Sequence, residues 1–129
     1  MKRPNVVFFG GEPLGVPALD ALYNEGVIPN VVITNPDRPQ GRRMVLTPPP
    51  TKVRAIGYGI PVFQPDSYNA STTREWFETT SWDLFVVVAY NFILPKWLLE
   101  LPKYGTLNVH PSLLPKLRGA SPIRSAILQ

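Results

Sequence analysis

Asp83-Leu84-Phe85-Val86-Val87-Val88-Ala89 is the stretch on which the fold turns. After its aspartate it runs without a polar residue and is rich in β-branched and aromatic side chains. A strand with one face in water alternates apolar and polar residues. A continuous apolar run belongs to a strand covered on both faces, in the middle of a parallel sheet. Outward from it, residues 5–9 (NVVFF), ended tightly by Gly10-Gly11, form a first buried strand. Residues 31–34 (VVIT) form a second strand, residues 61–63 a short third, and residues 105–109 (GTLNV) a fifth, following the 83–89 run as fourth.

Helical spacing fills the gaps between these runs. Residues 17–25 (PALDALYNE) place Leu19 and Leu22 on one face, with Pro17 in the first turn and Gly26 at the stop. Residues 51–58 form a short helix with Thr51 as its N-cap, and residues 71–79 and 96–101 form two more. Ser121 and Pro122 open a last helix. Residues 35–50, rich in proline and arginine, read as a loop. Strands alternating with helices make this an α/β chain, Rossmann-like, with three α/β/α layers and a mainly parallel sheet. With strand order 3-2-1-4-5, the carboxyl ends of the strands gather residues 10–14, 90–94 and 110–118, where ligands of such sheets bind.

Composition narrows the function classes. The 129 residues allow one domain, and 44% apolar residues allow a real though modest core. Without cysteine there is no disulfide framework and no thiolate metal site, as fits a reducing compartment. No apolar run approaches the roughly 18 residues of a membrane helix. The opening MKRPNVVFFGG carries an apolar run of only about six residues with β-branched members, so it reads as a buried strand and not a signal peptide. The net charge of +4 is concentrated: Arg38, Arg42, Arg43, Lys52 and Arg54 stand against Asp37 alone, and the rest of the chain sums to zero. Such a patch is either the footprint of an anionic partner such as nucleic acid or a solvated loop.

The glycine turn GGEPLG (residues 10–15) lacks the G-x-G-x-x-G spacing, and Glu12 has the wrong charge for a pyrophosphate. No Walker sequence and no Cys/His cluster is present. The chemistry concentrates in residues 108–127, NVHPSLLPKLRGASPIRSAI. Asn108 and His110 lie two apart on an extended strand and point to the same side. An amide there donates to a carbonyl oxygen that becomes an oxyanion, and an imidazole stabilises that charge or moves a proton. The pair suits acyl transfer to an amine. The plainer alternative is that both side chains only hydrogen-bond a loop.

Asn108-Val109-His110, then Ser112-Leu113-Leu114-Pro115, Arg118-Gly119-Ala120 and Pro122, resemble the signature of the folate-dependent formyltransferases. The resemblance covers nearly the whole chain. Residues 34–42 (TNPDRPQGR) resemble the basic loop of the family's methionyl-tRNA branch, and PVFQP (residues 61–65), VVVAY (residues 86–90) and Ile93-Leu94-Pro95 resemble further segments of it.

The resemblance implies transfer of a formyl group from 10-formyltetrahydrofolate to the amino group of initiator methionyl-tRNA, in the cytoplasm, at translation initiation. Asn108 would bind the formyl oxygen, and His110 would stabilise the tetrahedral intermediate and assist proton transfer. Tyr90, Asn91, Phe92, Ile93 and Leu94 would hold the pterin ring, with Ser112, Leu113, Leu114 and Pro115 lining the rest of the folate site. Arg38, Arg42 and Arg43 would reach toward the tRNA. No metal and no membrane is implied.

The chain departs from the family at GGEPLG, where Gly-Thr-Pro-x-Phe is more usual, and at Pro111, where glycine is common. The resemblance also places a catalytic aspartate, further strands and a C-terminal tRNA-assisting domain beyond Gln129. Residues 1–129 would then be an incomplete N-terminal formyltransferase domain with an exposed edge strand open to self-association, and little turnover is expected of them alone. Two other readings stand beside this one. The first is a formyltransferase acting on a sugar-nucleotide amine or glycinamide ribonucleotide. The second is a non-catalytic folate- or RNA-binding module.

Overall fold

A computed structural model describes residues 3–109. In chain order they form β1 (Val6–Gly10), α1 (Gly15–Asn24), β2 (Val31–Ile33), β3 (Arg38–Gln40), β4 (Val45–Thr47), α2 (Pro50–Gly57), β5 (Val62–Phe63), α3 (Ser71–Glu78), β6 (Leu84–Val88), α4 (Lys96–Leu99) and β7 (Thr106–Asn108). Five strands make one sheet in the order β5-β2-β1-β6-β7, and each neighbouring pair is parallel. Counted along the chain, these are the third, second, first, fourth and fifth strands of that sheet. The apolar 84–88 run lies between β1 and β7, pairing Val6 with Leu84 through Gly10 with Val88 on one side and Val87 with Asn108 on the other.

Both faces of the central strands are covered, and the pleat divides their residues between two cores. Val6, Phe8, Val32, Leu84, Val86 and Val88 pack with Ala18, Leu19, Leu22 and Ala55 from α1 and α2. Their strand neighbours Val7, Phe9, Val31, Ile33, Phe85 and Val87 pack on the opposite face with Phe77 from α3 and Leu98 from α4. A side-chain period of two, applied to runs with no polar member, produces this three-layer arrangement. Phe8, Phe9, Phe77 and Phe85 are fully buried, each contributing about 2–3 kcal/mol through the apolar area it removes from water. Among the described residues, no helix is long and apolar enough to cross a membrane.

The structure corrects the sequence reading in two places. Residues 35–50 are not all loop: β3 and β4 pair antiparallel as a separate hairpin, Arg38 opposite Thr47 and Gln40 opposite Val45. Pro39 inside β3 and the glycine at the tip disguise the strands, because proline within a run normally argues against one. Pro39 is tolerated here because this two-stranded ribbon leaves each strand an open edge. Thr51, expected as an N-cap, lies inside the first turn of α2 and is buried, while Pro49 occupies the cap position without a side-chain bond. Glu12 does the capping from the β1–α1 turn. Its Oε1 accepts from the Thr51 backbone N–H at 2.7 Å and from the Thr51 hydroxyl at 2.6 Å. A carboxylate is favoured at this end of the helix, where unpaired N–H groups and the dipole point.

Candidate functional site

The site is built at the carboxyl ends of β1, β6 and β7. The Gly11 N–H donates to the Val88 carbonyl at 3.1 Å, drawing the turn after β1 against the end of β6. A Cβ on Gly11 would lie 2.0 Å from the Ala89 carbonyl oxygen, so only glycine fits this approach. Ala89 has φ of 51°, a left-handed conformation that costs an L-residue roughly 1–2 kcal/mol. It turns the chain sharply out of β6 and sends Tyr90 back over the sheet.

Tyr90, Phe92 and Leu94 then form one wall of a cavity of about 690 Å³. Val87 and Ala89 lie at its base, and Leu99, Thr106, Asn108 and Val109 complete the lining. The wall residues alternate. Asn91 and Ile93 face solvent, Ile93 being 95% exposed, and neither lines the cavity. Asn108 ends β7 opposite Val87, and the next ladder bond runs from the Val109 N–H to the Val87 carbonyl at 2.9 Å. The Asn108 side chain is exposed to the cavity and has no hydrogen-bond partner among the described residues.

The tyrosine wall is anchored from behind. Tyr68, in the segment between β5 and α3, is buried, and its hydroxyl lies 2.8 Å from that of Tyr90. Phe92 packs against both rings, with centroids 5.6 Å from Tyr68 and 5.4 Å from Tyr90. Burial pushes the Tyr90 hydroxyl up to about 12, against an opposing pull from its bond to Tyr68, and pushes Tyr68 higher still. Both phenols are therefore neutral at any physiological pH. Among the described residues, no group of His, Asp or Glu side chains is arranged to hold a metal.

The structure brings together Asn108, Tyr90, Phe92 and Leu94 of the expected site residues. It places Arg38, Arg42 and Arg43 elsewhere, exposed on the β3–β4 hairpin and its turn, and none of them lines the cavity. His110, Ser112, Leu113, Leu114 and Pro115, together with the helix opened by Ser121, lie outside the described residues. Sequence reasoning missed Tyr68, Leu99 and Thr106. Nothing local marks them: Leu99 and Thr106 line the cavity from α4 and β7, and Tyr68 stands behind Tyr90 without lining it.

The hairpin is tied to the body at its base. Asp37 accepts from the Lys52 ammonium at 3.0 Å and from Gln64 Nε2 at 2.7 Å, and the same Gln64 nitrogen donates to the Asn35 carbonyl at 2.9 Å. These hydrogen bonds, Gln64 first and Lys52 second, hold the Asp37 carboxyl below its ordinary value. The hairpin tip presents Arg42, Arg43 and Met44 to solvent, followed by exposed Val45 and Leu46.

With this geometry in hand, comparison with known proteins is specific. The family model described as formyl transferase matches residues 4–129. The methionyl-tRNA formyltransferase of Bacillus subtilis strain 168 is 48% identical over 124 residues, covering 96% of this chain and 39% of that protein. The enzyme of the same name from Acidobacterium capsulatum is 47% identical over 123 residues, covering 95% of this chain and 40% of that protein. The chain thus spans about two-fifths of the length of these curated relatives. A crystal structure of a formyltetrahydrofolate deformylase from Pseudomonas putida KT2440 superposes with a TM-score of 0.58 at 21% identity, covering 97% of this chain and 44% of that one, a likeness of fold. A model matched almost from end to end and relatives nearly half identical lead to one conclusion: the chain belongs to the formyl transferase family.

Proposed function

We propose that this chain forms the donor-binding and part of the catalytic surface of an enzyme that moves a formyl group from 10-formyltetrahydrofolate to the amino group of methionyl-tRNA. The observation that carries the reading is Asn108. Its amide, without a hydrogen-bond partner among the described residues, stands at a strand's carboxyl end on the wall of a cavity large enough for a bicyclic ring, beside the side chains of Tyr90, Phe92 and Leu94.

In the reaction the acceptor amine attacks the formyl carbon and the carbonyl becomes an oxyanion. The bond from that carbon to N10 of the folate then breaks, and the amine's proton is passed to N10. Asn108 donates to the oxyanion. His110, two residues on, is the group we assign to stabilising the intermediate and moving the proton. Ser112, Leu113, Leu114 and Pro115 are assigned to the rest of the folate site by their match to the family signature. The names of the relatives support methionyl-tRNA as acceptor, and so does the exposed basic hairpin, since a small acceptor amine needs no extended cationic surface.

The test is Asn108→Ala in the intact protein, with formyl transfer followed by rapid quench. Loss of one oxyanion donor is expected to lower kcat about 100-fold or more, with folate affinity changed less than about threefold. A kcat within threefold of wild type would remove Asn108 from the chemistry. Folate binding without transfer to any amine in the wild-type protein would favour the binding-module reading.

A further inference from the structure

We infer that Tyr68 is a positioning residue of the cavity: its buried hydroxyl donates to Tyr90, fixes the Tyr90–Phe92 ring pair as a wall, and leaves the Tyr90 O–H as a donor for an acceptor atom on the bound ligand. This rests on the reading of the cavity as the site of the formyl donor. Nothing in the chain's signature residues includes Tyr68, which lies on the segment between β5 and α3.

The argument is one of hydrogen-bond accounting. Two hydroxyls 2.8 Å apart share one hydrogen bond, and between them they carry two O–H donors. Tyr68 is only 7% exposed, and Tyr90 is its one hydrogen-bond partner among the described residues. A buried O–H left unpaired would cost roughly 1–3 kcal/mol. The Tyr68 proton is therefore the one spent inside the pair, and Tyr90 is the acceptor. Tyr90 lines the cavity and is only partly buried, so its own O–H is the unspent donor. Accepting from Tyr68 polarises that donor and strengthens it.

The surroundings hold this geometry in place. The Tyr90 ring is fixed from three sides, by Phe9 at 5.7 Å, Phe92 at 5.4 Å and Tyr68 at 6.3 Å between centroids. A neutral phenol donor suits a ring carbonyl or an imine nitrogen on the ligand, and it does not suit an ammonium or another donor.

The experiment compares Tyr68→Phe, Tyr90→Phe and the double variant in the intact protein. Three quantities are read: the Kd for 5-formyltetrahydrofolate as an unreactive probe, the KM for methionyl-tRNA, and the ring resonances of isotope-labelled tyrosine. Tyr68→Phe is expected to weaken the probe about 3- to 10-fold, leave KM for the acceptor within twofold, and move the Tyr90 ring resonances. Tyr90→Phe is expected to weaken the probe at least as much, and adding Tyr68→Phe to it should change the Kd by less than twofold. A lowered Tm with the probe's Kd unchanged in Tyr68→Phe would mean that Tyr68 is only a core residue, and would overturn the inference. Fully additive losses in the double variant would overturn it as well. If the wild-type protein binds no folate, the functional reading falls by itself. The resonances then decide the pair: unmoved Tyr90 signals in Tyr68→Phe overturn the positioning role, and moved ones retain it.

Discussion

At the scale of single residues, the site depends on backbone approach as much as on side chains. Gly11 is the clearest case. Its hydrogen bond to Val88 holds the turn after β1 against the end of β6, beside Ala89, which lines the cavity. Gly11→Ala forces an atom to within 2.0 Å of the Ala89 carbonyl oxygen, a backbone atom directly after the end of β6. We expect a destabilisation of about 2–3 kcal/mol by urea denaturation, in the range of strained-backbone and overpacking changes, together with weaker ligand binding. A loss below 0.5 kcal/mol would mean that the turn after β1 relaxes freely.

Asp37 gives a second test at this scale. Its carboxyl is held below the ordinary value of 3.8 by Gln64 and Lys52, so its ionised form is favoured in the folded state. A depressed acid contributes in full above its ordinary value, and the contribution disappears as the pH falls through the lower folded value. NMR line positions of the β3–β4 hairpin should therefore stay constant from pH 7 to about 4 and change only below that. Loosening of the hairpin already near pH 6 would show that Asp37 does not anchor it.

At the scale of elements, α2 has its N-terminus closed by a side chain from another element. Pro49 and Pro50 begin the helix without offering a side-chain acceptor, and Glu12 supplies one to both the backbone and the hydroxyl of Thr51. Glu12→Ala should cost about 1 kcal/mol, the usual effect of a lost cap, and circular dichroism melts would read it. An unchanged Tm would assign the capping to water. The acid that made the first turn unsuitable for a pyrophosphate therefore has a structural use. The elements themselves were legible where the residue pattern was strong: the 84–88 and 6–10 strands and the 15–24 helix fall within two residues of their expected bounds. The β3–β4 hairpin was not legible, because β3 is Arg-Pro-Gln with no apolar residue and β4 is only Val-Leu-Thr, so neither three-residue strand carries an alternation long enough to read.

At the scale of the whole molecule, the basic hairpin and the apolar cavity are separate surfaces. The hairpin follows β2, while the cavity lies at β6 and β7, on the far side of β1 in the sheet. Function should divide in the same way. Arg42→Ala is expected to weaken methionyl-tRNA binding and reduce its salt dependence by about one ion, while leaving the Kd for folate within twofold. Binding measured from low to moderate salt checks this. An unchanged salt slope would return the hairpin to an ordinary solvated surface.

The sequence by itself determined the α/β class, the parallel sheet and the family, and it singled out Asn108 as the candidate the proposal rests on. Those properties follow from local periodicity and from a motif of consecutive residues, and both survive in one dimension. Only the tertiary structure decided that Glu12 caps α2, that Tyr90, Phe92 and Leu94 face the cavity while Asn91 and Ile93 do not, and that Tyr68 stands behind Tyr90. Each of these depends on which distant segments the sheet order brings within a few ångströms, and on the left-handed turn at Ala89 that sets the phase of the residues after it.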